Sequence, residues 1–265
     1  LIFSVPGINY DKIYFINSLG VENLDAREMS ARLCSWMQDE LVMRNSRGYV
    51  FGLSGGIDSA VVAALCKTAC GENVLGLIMP CHSSPRDEKD AELIAESFSV
   101  KTKTIILDHI FDLMVAKLTG KEYNPGQKDT AIINIKPRLR MITSYFFAAR
   151  NQYLVAGTSN RSELTVGYFT KHGDGGSDLL PIGKLVKSQV CELAEYLGVP
   201  KSIIEKPPSA GLWKGQTDES EMGITYRELD EYILTGNADH KVKDIINNLV
   251  NRSAHKRALP VLPPF

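Results

Sequence analysis

The sequence predicts an α/β fold of three layers, a mostly parallel, twisted sheet with helices on both faces. Three observations lead there. Short apolar runs alternate with amphipathic helical patterns up to residue 156. Strands joined through helices imply right-handed crossovers and a parallel sheet. The 265 residues, 44% hydrophobic and 23% charged, are enough to bury a core without disulfide staples.

Each element has its own local reason. Asp25 to Ser46 reads as an amphipathic helix: Asp25 with Glu28 resembles a capping box, and Met29, Leu33, Trp36, Met37 and Leu41 form one apolar stripe. Tyr49 to Leu53 is a short buried strand that runs into a Gly-rich turn, and Ile57 to Cys70 is a helix rich in Ala and Leu. A second strand follows at Asn73 to Met79, then a crossover helix at Asp87 to Phe98, a third strand at Thr102 to Leu107 and a helix at Ile110 to Leu118. Residues 120–130 form a polar loop around Asn124, Pro125 and Gly126. A long helix runs from Pro137, in its first turn, to Asn151, and a fourth strand spans Tyr153 to Ala156.

Residues 157–183, rich in Gly, Thr, Ser and Asp, read as functional loops. Helices are predicted at Lys184 to Leu197, at 225–235 and at 241–252, and Pro207 to Gly223 reads as a mobile flap. Residues 25–265 form one domain on this reading, with 1–24 as an N-terminal extension.

Composition excludes several function classes. Lys and Arg total 30 against 31 Asp and Glu, a net charge of -1, whereas a protein that coats nucleic acid carries a basic excess. No apolar run reaches the roughly 18 residues of a membrane span, and the start lacks the pattern of a signal peptide. Five scattered cysteines suit reduced thiols in a cytoplasm. Burial in a helix accounts for Cys66 and Cys70, and the absence of H-E-x-x-H and of paired C-x2-C argues against zinc.

The decisive segment is Gly52-Leu53-Ser54-Gly55-Gly56-Ile57-Asp58-Ser59, between the first strand and the next helix. Two glycines let the backbone turn tightly and approach a ligand. Turn and helix-start N–H groups converge there, and the helix dipole adds positive potential, so the turn suits phosphate. Ser54 and Ser59 add hydroxyls. Asp58 makes sense beside phosphate if it holds Mg2+.

Rival readings exist. There is no Walker A sequence, and the nearest approach to G-x-G-x-x-G has Asp178 in place of its last Gly. Gly52-Leu53-Ser54-Gly55-Gly56 also fits the nucleophile elbow of α/β-hydrolases, although that elbow follows several strands and this turn follows the first. A Gly/Ser turn without a ligand is the plain alternative.

S-G-G-x-D-S after a first strand resembles the PP-loop of N-type ATP pyrophosphatases, whose fold is of the adenine nucleotide alpha hydrolase, Rossmann-like type. Further segments resemble the NAD synthetase family: Gly157-Thr158-Ser159-Asn160-Arg161-Ser162-Glu163; Gly167 to Gly176 followed by Asp178, Pro181, Leu185, Lys187 and Gln189; Arg138 with Arg140 and Met141, with Pro137 where the family has Ala; and Asn251-Arg252-Ser253-Ala254-His255-Lys256-Arg257. The likeness runs from about residue 25 to 265.

The resemblance implies ATP-dependent amidation of deamido-NAD+ by ammonia through an adenylate, with AMP and pyrophosphate released. It implies Mg2+ on Asp58 and Glu163. It implies ATP contacts from residues 52–59 and from Thr158, Lys187 and Ser209, where many relatives have Thr. Arg138, Lys171, Asp178, His255 and Lys256 resemble the positions that hold deamido-NAD+. Asp174 is the candidate to bind ammonium and take its proton, and Lys187 and Ser54 join it as candidate catalytic groups. Met79 and Pro80 are placed at the adenine, and Trp213 in a water-excluding lid.

Relatives are homodimers, and the helix with Ile142, Tyr145, Phe146 and Phe147 offers an apolar surface for one. A cytoplasmic enzyme without nucleic-acid or membrane partners is expected. The motifs occupy nearly all 265 residues, which leaves no space for an amidase domain and implies free ammonia as donor. The alternatives are a GMP-synthetase-like enzyme, a tRNA-thiolating enzyme and a non-catalytic nucleotide sensor.

Overall fold

In the computed structural model, which describes residues 24–126, 129–209, 211 and 217–263, four strands make one parallel sheet. They are β1 (Gly48–Gly52), β2 (Val74–Ile78), β3 (Thr102–Thr104) and β4 (Tyr153–Val155), in the order β3-β2-β1-β4. Tyr49 pairs with Val74 on one side and Leu154 on the other. The chain steps outward from β1 to β3 and returns with β4 on the far side of β1. The order therefore reverses between β1 and β4, and their carboxyl ends flank a crevice. A parallel bridge from Ala156 to Leu179 carries the pairing beyond β4.

Twelve helices complete the described residues. They are α1 (Ala26–Met43), α2 (Ile57–Cys70), α3 (Pro85–Ser97), α4 (Asp108–Thr119), α5 (Thr130–Ile133), α6 (Ile135–Asn151), α7 (Arg161–Val166), α8 (Lys187–Leu197), α9 (Lys201–Ile204), α10 (Asp218–Met222), α11 (Tyr226–Thr235) and α12 (His240–Arg257).

Alternation along β1 separates two cores. Tyr49 and Phe51 pack with α1, α2, α3 and α8, while Val50 packs with Phe111 of α4 and Leu139 and Ala148 of α6. Both faces of β1 are covered, which is why its sequence is continuously apolar. The buried Tyr49 hydroxyl is satisfied by the Met37 carbonyl, 2.6 Å away. A third cluster (Val166, Met222, Tyr226, Leu229, Val242 and Ile246) joins α7, α10, α11 and α12 beside β4.

The differences from the sequence reading have local causes. The buried face of α1 runs through Ser30, Cys34, Met37 and Leu41, with Met29 at its edge. Leu33 is half-buried and Trp36 exposed, its indole donating to Glu40. Only half of the expected capping box is made. Asp25 accepts the Glu28 N–H, while the Glu28 carboxylate pairs with Arg32. The third strand ends at Thr104, although Ile105 and Leu107 still donate to the Ile78 and Pro80 carbonyls before α4 begins at Asp108. Residues 157–183 are not all loop: Asn160 and Glu163 form a true capping box that starts α7. The helix expected from Lys184 begins at Lys187, and the last helix extends through His255, Lys256 and Arg257. The extension at 1–23 lies outside the described residues, as does Trp213.

Candidate active site

The turn after β1 is built by its own hydroxyls. The Ser54 N–H and Oγ–H both point at Ser59 Oγ (3.3 and 3.1 Å), Ser59 donates to the Gly56 carbonyl at 2.9 Å, and Ser54 Oγ accepts the Gly56 N–H. Gly55 has φ +78°, and a Cβ there would stand 2.4 Å from the Asp87 carbonyl. The position therefore demands glycine. Gly56 caps α2 without a side chain, so the first N–H groups of that helix have no side-chain acceptor and face the crevice.

The β4 end supplies the other half. Asn160, fully buried, accepts the Glu163 N–H at 2.9 Å, donates its own backbone N–H to Glu163 Oε2 at 3.1 Å, and donates its side-chain amide to Asp58 Oδ1 at 2.9 Å. One residue thereby joins the two carboxylates, Asp58 through its side-chain amide and Glu163 through its backbone N–H. Lys187, 6% exposed, forms an ion pair with Asp58 Oδ2. Its helix is capped from a distance. Val186, at the α8 N-cap, has no polar side chain, and Asp230 of α11 does the work. The Asp230 carboxylate accepts the Lys187 and Ser188 N–H groups at 3.4 and 2.7 Å and the Ser162 hydroxyl at 2.5 Å.

The charges explain the shifts. Burial first, then the negative charge of Asp58, pushes the Glu163 carboxyl well above the ordinary range, partly offset by Lys187 and the Asn160 N–H. Burial alone would lower the Lys187 ammonium, but Asp58 and Glu163 outweigh it and hold it above the usual lysine range. Asp218, 4% exposed, is likewise raised by burial. Its Oδ2 accepts the Tyr226 hydroxyl at 3.0 Å, while its Oδ1 is buried without a hydrogen-bond partner among the described residues.

Three carboxylates around one ammonium leave a negative, hard-oxygen site that fits a divalent cation. No three acids among the described residues encircle an ion by themselves. A cation held here would complete its shell with phosphate oxygens and water, as Mg2+ does.

One cavity of about 560 Å³ collects most of the residues singled out by sequence: Gly52, Leu53, Ser54, Gly56, Ile57, Asp58, Ser59, Thr158, Glu163, Asp174, Lys187, Ser209 and Lys256, with Met79 and Pro80. Asp174 accepts the Thr170 N–H at 2.9 Å. The protein packed around it raises its carboxyl above the usual range, against the pull of Lys256 and Arg140.

Gly55, Arg138, Lys171, Asp178 and His255 do not line this cavity. Gly55 is turned toward α3. Arg138 and His255 are exposed, Lys171 donates to the His255 carbonyl at 2.7 Å, and Asp178 accepts the Val155 N–H at 2.7 Å. Lys256 reaches the cavity while donating to the carbonyls of Gly167 and Phe169, so it also ties α12 to the loop after α7. A Cβ on Gly167 would strike Ser253 at 2.1 Å, so this junction too requires glycine.

Sequence reasoning missed Asn160, Arg140, Lys206, Asp218 and Asp230 as functional positions. Asn160 had a readable signal, the N-x-x-E spacing of a capping box. Asp218 sits in an acidic run that looks solvated, and Asp230 on what reads as an ordinary amphipathic helix. Arg140, which lines the cavity, donates to the Met79 carbonyl and to Ser83.

Two rival chemistries fall away. Among the described residues no histidine lines the cavity beside Ser54, where a hydrolase elbow would need its base. Burial pushes the Cys70 and Cys81 thiols up to about 11 and Cys66 well above its ordinary value, which leaves them inert near neutral pH.

Comparison with known proteins bears on the same cavity. Residues 29–260 match the family model described as NAD synthase. The NH(3)-dependent NAD(+) synthetase of Carboxydothermus hydrogenoformans is 50% identical over 236 residues, covering 89% of this chain and 97% of that protein. The structure of an NMN synthetase from Francisella tularensis is 40% identical with a TM-score of 0.86, covering 92% of this chain and 100% of that one. That of the NH3-dependent NAD synthetase from Campylobacter jejuni is 32% identical with a TM-score of 0.73, covering 91% and 99%.

Proposed function

The chain belongs to the NAD synthase family, and from that premise we infer that it catalyses NH3-dependent NAD+ synthesis, a ligase reaction in which ATP drives the amidation of deamido-NAD+. The observation that carries this reading is the convergence of the Ser54–Ser59 turn, Asp58, Glu163 and Lys187 at the carboxyl ends of two neighbouring parallel strands.

A carboxylate is a poor acyl electrophile because oxide would have to leave. An oxygen of the nicotinate carboxylate attacks the α-phosphorus of ATP, the bond to the bridging oxygen breaks, and pyrophosphate departs. Ammonia then adds to the acyl carbon and AMP leaves with the carbon–oxygen electron pair. The first step joins two anions, so its catalysis is positioning and charge neutralisation. Residues 52–59, Thr158, Lys187 and Ser209 hold ATP, with Lys187 beside the phosphates. Asp58 and Glu163 hold Mg2+, which supplies further neutralisation when bound. Asp174 binds ammonium and removes its proton, because ammonium has no lone pair with which to attack. Arg138, Lys171, Asp178, His255 and Lys256 serve deamido-NAD+.

Residues 25–265 work as one domain in a homodimer. Ile106, Ile110, Leu113, Leu118, Ile142 and Phe146 are exposed on and beside α4 and α6, an apolar face of the kind that associates. A monomer mass at every concentration would contradict the dimer. No described helix is long and apolar enough to cross a membrane. The free thiols at 34, 66, 70, 81 and 191 support a reducing cytoplasm as its setting.

One observation favours a second reading of the acceptor: the structure with the higher TM-score of the two compared is an NMN synthetase. The test is a single assay with ATP, Mg2+, ammonium and either deamido-NAD+ or nicotinate mononucleotide. AMP, pyrophosphate and NAD+ are expected. ADP as product overturns the mechanism, and preferential use of the mononucleotide moves the acceptor to the second reading.

A further inference from the structure

Behind the phosphate turn stands a cation that the reaction above does not use. Lys206 follows α9 and leads into Pro207, and its ammonium donates to three acceptors: the Gly55 carbonyl at 3.3 Å, Asp87 Oδ1 at 2.8 Å and Asp90 Oδ2 at 2.6 Å. Its side chain is 18% exposed and that of Asp90 15%. The left-handed Gly55 lies directly on α3, so the two carboxylates of that helix are held against the back of the turn. Asp87 and Lys206 both reach the cavity wall. Arg86 also approaches Asp90, at 3.9 Å, but its side chain is 71% exposed and solvent screens it.

Two carboxylates beside a phosphate-binding turn repel a polyphosphate unless a cation compensates them. We propose that Lys206 is a positioning residue for ATP. Its charge cancels Asp87 and Asp90 toward the incoming phosphates, and its third donor fixes the Gly55 carbonyl away from them, so that the turn presents only N–H groups. The proposal rests on the reading of this cavity as an ATP site. It also explains why a lysine stands three residues before Ser209: one ammonium ties its own backbone, α3 and the turn together.

Calorimetric titration with ATP–Mg2+ and, separately, with pyrophosphate–Mg2+ tests it on the wild type, on Lys206→Met, and on the triple variant Lys206→Met with Asp87→Asn and Asp90→Asn. Lys206→Met is expected to weaken both ligands about tenfold or more. The triple variant, with the two carboxylate partners of the lysine neutralised along with it, is expected to return to within about threefold of wild type. Wild-type affinity in Lys206→Met overturns the proposal. So does a triple variant that binds as weakly as Lys206→Met, which would make the lysine a direct phosphate ligand. If Lys206→Met does not fold, the triple variant decides by the same limits. NAD+ formation by the wild type is measured in parallel. A wild type that binds ATP but makes no NAD+ sinks the functional reading and leaves the binding comparison intact.

Discussion

The two ends of the candidate site, one inside the cavity and one outside it, are built on different plans. At the phosphate end Asp58 is paired with Lys187 and linked through Asn160 to Glu163, and Asp230 caps the helix that carries the lysine. At the other end Arg138 and His255 are exposed outside the cavity, Lys171 is bonded to a backbone carbonyl beside them, and only Lys256 reaches the cavity, itself bonded to backbone carbonyls. The contrast teaches what each task requires. Developing charge is stabilised by groups that need not move, which a buried network provides. Holding a long dinucleotide needs cations that can be recruited from the surface, and there a loose arrangement suffices.

Four experiments press on that contrast. Asp58→Asn keeps the shape and the Asn160 partner but removes the charge, and is expected to lower turnover by about 1000-fold with the fold intact by circular dichroism. A loss of only a few-fold would erase the distinction between the two ends. Asp174→Asn comes next, with a fall in kcat of about 100-fold and unchanged binding of both nucleotides. Its carboxyl is held above the usual range, and only the ionised form accepts a proton. Wild-type kcat should therefore fall as pH drops through that raised pKa, and Asp174→Asn should lack this limb. An identical acidic limb in the variant would remove Asp174 from the proton transfer.

Asp230→Ala tests bracing from a distance. It strands the Ser188 N–H and the Ser162 hydroxyl, so a denaturant melt should show a loss of about 2 kcal/mol. kcat/KM for ATP should fall about tenfold while KM for deamido-NAD+ stays put. An equal rise in both KM values would mean general loosening instead. The smallest effect is expected at the open end: Arg138→Ala should raise KM for deamido-NAD+ about threefold and leave ATP kinetics alone. A change tenfold or larger would show that this end is also tightly organised.

Legibility followed the same division. α2 was read to the residue, Ile57 to Cys70, because a Gly-rich turn starts it and Gly71 ends it. The Ser54–Ser59 turn is likewise a local pattern, and so is the N-x-x-E start of α7, although 157–183 reads as loop. Asp230 and Lys206 were not legible. Each acts on residues tens to more than a hundred positions away, and nothing beside them in the chain marks that contact. Trp36 misled because seven-residue spacing from Met29 looks like one face, while packing on α2 and α8 selected the adjacent face through Cys34.

By itself the sequence determined the order of strands and helices, the phosphate turn and the residue types of the site, since these depend on propensity, periodicity and backbone freedom within a few residues. Only the tertiary structure decided which carboxylate meets which cation. It paired Asp58 with Lys187 across the β1–β4 crevice, gave α8 its cap from α11, and set Lys206 behind Gly55. Electrostatic pairing depends on distance and burial in space, and the separation of two residues along the chain carries neither.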